Sequence, residues 1–146
     1  MSTPEAIKKW VIAEMKASAA LVTLVGSPGP VWSAGPELPS RTGVYVRAGR
    51  SRRAERFADE ARIELWCVHT ASEQQCHDLM TRVRLILDAV PGEPKTWGAD
   101  PSASNLRLNA VLLDEEAPPD EVPAAQNQTY WMGSLTYVIR GKSTAL

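Results

Sequence analysis

Residues 57–90 read FADEARIELWCVHTASEQQCHDLMTRVRLILDAV, and this stretch decides the fold. From Phe57 to His69 the pattern has a period of two. Ile63, Leu65 and Cys67 share one face, and Arg62, Glu64, Trp66 and Val68 share the other, as in a half-buried strand. Thr70 follows, with Glu73 three residues later. That spacing is a capping box, in which the hydroxyl accepts an early helix N–H and the carboxylate reaches back to the cap's own N–H. Cys76, Leu79, Met80, Val83, Ile86, Leu87 and Val90 then recur at helical spacing, one apolar stripe of about five turns, until Pro91-Gly92 stops it. An amphipathic helix of this kind buries one face of a sheet, so the other strands are read against it.

At 146 residues the chain is expected to form a single domain, residues 1–146, long enough for one core. Its hydrophobic content of 44% and charged content of 23% are those of a globular protein, and its net charge of −1 offers no bulk attraction to nucleic acid or an anionic membrane. Any charged partner must therefore meet a local patch. Met1-Ser2-Thr3-Pro4-Glu5 has no basic region followed by an apolar run, so no signal peptide is expected. No apolar run approaches the roughly 20 residues of a membrane span. Cys67 and Cys76 are the only cysteines and fall at apolar positions, which favours reduced core thiols in a cytosolic compartment over a disulfide or metal site.

Before the central stretch, Thr3 or Ser2 caps a helix whose apolar face is Ile7, Trp10, Val11 and Met15. Ala19 to Val25, closed by Gly26, reads as a short second helix. Residues 27–41 hold Pro28, Pro30, Pro36 and Pro39 and predict a long, stiff loop. Val31 and Trp32 within it must dock on something, either their own domain or a neighbouring subunit. Gly43 to Arg47 is a short strand. Arg47, Arg50, Arg52, Arg53 and Arg56 then fall within ten residues, the densest charge in the chain. They predict a basic hairpin tip, either a solvated turn or a patch that meets phosphates or acidic protein surface.

After the helix, residues 91–104 form another irregular segment, and Leu106 to Leu113 alternate as a strand. Asp114, Glu115, Glu116, Asp120 and Glu121 surround Pro118-Pro119 in what reads as an acidic, proline-broken loop. The last strand runs from about Gln128 to Arg140, and Gly133 marks a bulge or a close backbone approach. The fold class is α+β: about four mainly antiparallel strands packed by two amphipathic helices, with long proline-rich loops.

Motifs for catalysis are missing from the sequence. It has no glycine-rich phosphate loop, Gly-x-Ser-x-Gly, His-Glu-x-x-His or Cys-x-x-Cys. Asp59 and Glu60 point to opposite strand faces and cannot act as an acid/base pair. Cys76 and His77 diverge by about 100° on a helix, and His69 and His77 have no suitably spaced third ligand. No catalytic residue, metal or cofactor is expected. A stable core, stiff loops, a basic tip and an acidic segment are the inventory of an interaction protein.

The order of elements carries a resemblance. A helix is followed by Ala19-Ala20-Leu21-Val22-Thr23-Leu24-Val25-Gly26, a proline-rich loop and the strand Arg62-Ile63-Glu64-Leu65-Trp66-Cys67. The Thr70-Ala71-Ser72-Glu73 helix comes next, and Tyr130-Trp131-Met132-Gly133-Ser134-Leu135-Thr136-Tyr137-Val138-Ile139 closes the chain. Nearly the whole chain thus resembles the tail terminator (tail completion) proteins of long-tailed bacteriophages and phage-derived particles. The resemblance implies an α+β subunit of a six-fold ring that caps the tail tube, ends its polymerisation and faces the head–tail connector. It implies assembly in the host cytoplasm and a place in the neck of the virion. It brings no catalytic residue.

Within such a ring, the arginines of one subunit could meet the acidic segment of the next, setting register more than affinity. The same arginines could instead line the lumen and touch passing DNA. A head–tail stopper or adaptor is the nearest alternative. A small ligand-binding domain or enzyme using a pocket between loop 27–41 and the sheet is the alternative from another class.

Overall fold

The computed structural model describes residues 3–25, 42–55, 58–88, 106–123 and 129–143. Among these are three helices, α1 (Thr3–Lys16), α2 (Ala19–Val25) and α3 (Glu73–Asp88). Four strands, β1 (Gly43–Glu55), β2 (Ala58–His69), β3 (Leu106–Pro123) and β4 (Thr129–Ser143), form one antiparallel sheet in the order β1-β2-β4-β3. The α+β fold is thus as expected. Both β2 and β3 are antiparallel to β4 and so run the same way; β4 lies between them.

The helices bury the faces their periodicity marks. On α1 these are Ala6, Ile7, Trp10, Val11 and Met15; on α3 they are Cys76, Leu79, Met80, Val83 and Leu87, with Ile86 partly buried. They close over Val44 and Val46 of β1, Ile63, Leu65 and Cys67 of β2, and Leu135, Tyr137 and Ile139 of β4. Each such side chain contributes about 1.5–3 kcal/mol when fully buried. Ser18 caps α2: its Oγ accepts from Leu21 N–H at 3.3 Å and its carbonyl from Val22 N–H at 3.0 Å.

The cap of α3 is Ser72, not Thr70. Gln75 N–H donates to Ser72 Oγ at 3.1 Å, and Cys76 N–H to the Ser72 carbonyl at 3.2 Å. Ser72-x-x-Gln75 has the spacing of a capping box just as Thr70-x-x-Glu73 does. Thr70 is committed elsewhere: its N–H donates to Thr42 Oγ1 at 3.1 Å, tying the end of β2 to the start of β1. Val90, Pro91 and Gly92, expected to end the helix, lie outside the described residues.

Two strands are longer than the sequence predicts. β1 does not stop at Arg47 but continues through Arg50, Arg52 and Arg53 to Glu55. The acidic segment expected as a loop belongs to β3, which runs on to Pro123. Its prolines are tolerated because, among the described residues, β3 pairs only with β4 and is an edge, so a missing N–H leaves no second neighbour short of a donor. They also sit at a bulge. Ala117 pairs with Ser134 and Asp120 with Met132, so Pro118 and Pro119 together oppose Gly133. The predicted loops 27–41 and 91–104 lie outside the described residues.

Gly133 is a point of close approach. A Cβ there would press into Met80 Sδ on α3 and stand 3.0 Å from the Ala117 carbonyl oxygen. One turn earlier on α3, Cys76 Sγ donates to the carbonyl of Cys67, which pairs with Gly133 across β2 and β4, at 3.2 Å. Both cysteines are buried and unbridged. Opposite the helices lies a second cluster of Tyr45, Val68 and Tyr130, flanked by Trp66, Val122 and Met132. The face that carries Arg62 and Glu64 is therefore apolar where β2 finishes, at Trp66 and Val68.

Gly133→Ala should lower stability by about 1–3 kcal/mol through overpacking, read from the denaturant midpoint. Met80→Ala should then cost less in the Gly133→Ala background than in the native chain; equal costs would show that the two positions do not compete for space. A second outcome concerns pH. Burial is the main cause that pushes the Cys76 thiol from 9.0 up to about 11, with main-chain hydrogen bonds from Gly133 and His69 offsetting part of the rise. The unfolded chain releases this proton first, so the stability it contributes is complete below about pH 9 and lost between about 9 and 11. Stability of Cys76→Ala, followed by urea titration across that window, should fall less steeply than that of the native chain, by up to about 1.4 kcal/mol per pH unit.

Candidate functional site

The charged segments lie on opposite edges of the sheet. β1 carries Arg47, Arg50, Arg52 and Arg53, and β3 carries Asp114, Glu115, Glu116, Asp120 and Glu121. Arg47 and all five carboxylates are exposed. With β2 and β4 between them, the edges stand about 14 Å apart, three strand spacings, and cannot meet within one subunit. Arg56, Val31 and Trp32 lie outside the described residues.

Inside the subunit the carboxylates have other partners. Arg62 Nη1 donates to Asp114 Oδ2 at 2.7 Å and Arg62 Nη2 stands 3.8 Å from Glu115 Oε1. Arg84 Nη1 donates to Glu116 Oε2 at 3.5 Å. Across the middle of the sheet Arg140 Nε lies 3.5 Å from Glu60 Oε2, its register partner. In the strand register the β1 positions of Arg47, Arg52 and Arg53 stand across from those of Glu64, Glu60 and Asp59 on β2. Half-exposed pairs such as Arg62 with Asp114 and Arg84 with Glu116 contribute about 0–1 kcal/mol each, so they orient the surface more than they hold the fold.

Arg62 and Arg84 were not singled out by sequence. Arg62 was legible as a residue on the polar face of β2, but its partner was not. A bulge places it: Leu113 pairs with Tyr137 and Glu115 with Thr136, leaving Asp114 as the extra residue that reaches Arg62.

Arg84 also joins a buried network. Tyr137 Oη donates to Asp88 Oδ1 at 2.9 Å, and Arg84 Nε to Asp88 Oδ2 at 3.2 Å. Asp88 is only 8% exposed, so these two donors take the place of water at its carboxylate oxygens. Burial first, and then the Asp88 charge, push the Tyr137 phenol upward and keep it protonated as the donor. An open cavity of about 220 Å³ borders the network, lined by Thr81, Arg84, Leu85, Asp88 and Glu116.

The histidines are placed apart. Ala71 N–H donates to His69 Nδ1 at 3.1 Å, so Nε2 carries the hydrogen it gives to the Leu24 carbonyl at 3.3 Å. His69 thereby satisfies a terminal carbonyl of α2. His77 is exposed, 4.0 Å from Glu73, while its neighbour Cys76 points into the core. Among the described residues no group of three His, Cys, Asp or Glu side chains is placed to hold a metal ion, and no helix is long and apolar enough to cross a membrane. The chemistry this surface offers is charge pairing along two edges.

No protein-family model matches the chain, and no curated protein matches it. Its fold is shared with a solved chain from the virion of a native gene transfer agent particle. The likeness covers 97% of this chain and 98% of that one, with a TM-score of 0.61 and 19% sequence identity. At that identity the likeness is one of fold.

Tyr137→Phe should cost about 1–3 kcal/mol, because it leaves a buried carboxylate oxygen without its donor. Asp88→Asn should cost a similar amount, and the double variant should cost less than the sum of the two. Strict additivity in chemical denaturation would mean that the hydroxyl and the carboxylate act independently.

Proposed function

We propose that this chain is a structural protein of a phage-like virion and, within it, the tail terminator. In this reading copies of the chain form a ring, a hexamer, on the head-proximal end of the tail tube. The ring ends tube polymerisation and presents its other side to the head–tail connector or stopper, in a particle put together in the host cytoplasm. The observation that carries the reading is the end-to-end likeness to a virion chain, which accounts for both chains almost completely. The order of sequence elements points the same way. The placement of basic and acidic strands on opposite edges supports a subunit with two different contact surfaces, as a ring requires.

The chain works by fitting, without making or breaking a bond. Its partners are its own copies, the tail tube protein and the connector, and DNA passes through the lumen. Val31 and Trp32 belong to a loop that docks on its own domain or on a neighbour, and the β1 arginines with the β3 carboxylates supply the charged contacts. A stopper would share the ring but would carry an element across the lumen, whereas a terminator leaves it open.

Particles assembled without this protein should carry tails of uncontrolled length that fail to join heads, seen by electron microscopy and restored by adding the purified chain. Tails of normal length joined to heads would overturn the reading. A closed lumen in the purified ring would move it to the stopper.

A further inference from the structure

The two charged edges match in direction, face and spacing. β1 and β3 run in opposite directions, so β3 of a second copy placed beside β1 continues the antiparallel order. Setting β1 against β1 opposes arginine with arginine, and β3 against β3 opposes carboxylate with carboxylate. The only pairing of unlike edges is also the attractive one. It is a head-to-tail contact, the kind that builds a ring when the rotation from copy to copy closes.

Face and spacing select one register. Val44 and Val46 lie on the helix-covered face, so Arg47 lies on the other; the Arg52 position, paired with Glu60, falls on that same side. Glu115 and Asp120 pair with Thr136 and Met132, the β4 positions alternating with core residues Leu135 and Tyr137, and share the helix-free face. From Arg47 to Arg52 is five residues with a register shift inside, and from Glu115 to Asp120 is also five residues with a register shift inside. We propose that β1 of one copy lies antiparallel to β3 of the next, with Arg47 against Asp120 and Arg52 against Glu115.

This register deepens the ring reading above and rests on it. The same offset puts Gly49 beside Pro118, so the ladder lacks a donor there, at a point where β1 already carries a register shift and the glycine adds no side chain. It also fixes a stagger. Within one sheet Arg47 is level with Glu115, through Glu64 and Thr136. Bringing Arg47 to Asp120 therefore shifts the next copy along the strands by the interval from Thr136 to Met132, four residues or about 14 Å. Strands in the ring are then inclined to its axis, as in a barrel.

Engineered cysteine pairs in the full chain test the register. Under oxidation Arg47→Cys with Asp120→Cys should give a ladder of linked copies on non-reducing gels, since directly opposed strand residues fall within disulfide reach. The unstaggered pair, Arg47→Cys with Glu115→Cys, should stay unlinked. Assembly is followed in parallel by native mass. A ring linked by the unstaggered pair, or by neither pair, overturns the register and leaves the ring standing. A chain that is monomeric at every concentration overturns both. As a second variant set, Arg47→Asp should weaken association about fivefold or more, and adding Asp120→Arg should recover it. Failure of the swap to recover association in a folded chain, judged by native circular dichroism, also counts against the register.

Discussion

The structure depends on how closely α3 sits on the sheet, and that distance is set at Gly133. Met80 occupies the space where any other residue would carry a Cβ, and Cys76 hydrogen-bonds to the backbone of the strand beside it. Close-packed interiors do not adjust to such gaps continuously, so the contacts of Cys76 and Met80 keep the rest of the stripe, Leu79, Val83 and Leu87, in register with the core. At the far end the fit is polar. Asp88 receives Tyr137 from the sheet and Arg84 from its own helix, and Arg84 reaches on to Glu116 of β3. The helix is thus met by a missing side chain at its middle and by a satisfied buried carboxylate at its finish.

The same region determines what the sheet shows to the outside. Two prolines opposite one glycine make a bulge that interrupts the pairing of β3 with β4 before it resumes at Asp120, and a second bulge at Asp114 turns a carboxylate toward Arg62. Bulges, prolines and charges are the devices by which exposed edges avoid indiscriminate pairing. Here the two edges carry opposite sign, so what repels a like edge attracts an unlike one. Protection and recognition need not compete if the partner, as proposed above, is the unlike edge of a second copy.

Exposed pairs of this kind are individually weak, and their worth lies in discrimination. A contact between subunits would draw its affinity from apolar area and its register from charge. The second face of the sheet is arranged in keeping with this division. It is apolar where β2 ends, around Tyr45, Val68 and Tyr130, and charged further along, around Arg62, Glu60 and Arg140.

The sequence by itself determined the elements and their buried faces. Helix and strand periodicities are local, so Ile7, Trp10 and Val11, the α3 stripe from Cys76, and the alternation of Ile63, Leu65 and Cys67 could be read without a fold. It also marked Gly133 as unusual. It could not say what approached that glycine, because Met80 is more than fifty residues away along the chain. The tertiary structure decided that Ser72 caps α3, since Thr70 was taken by Thr42. It decided that Pro118 and Pro119 lie in a strand, since only an edge position spares a second neighbour the missing N–H. And it decided that arginines and carboxylates singled out as possible partners stand on opposite edges, because sheet order is set by which strands share the helix-covered core, and no local pattern encodes that.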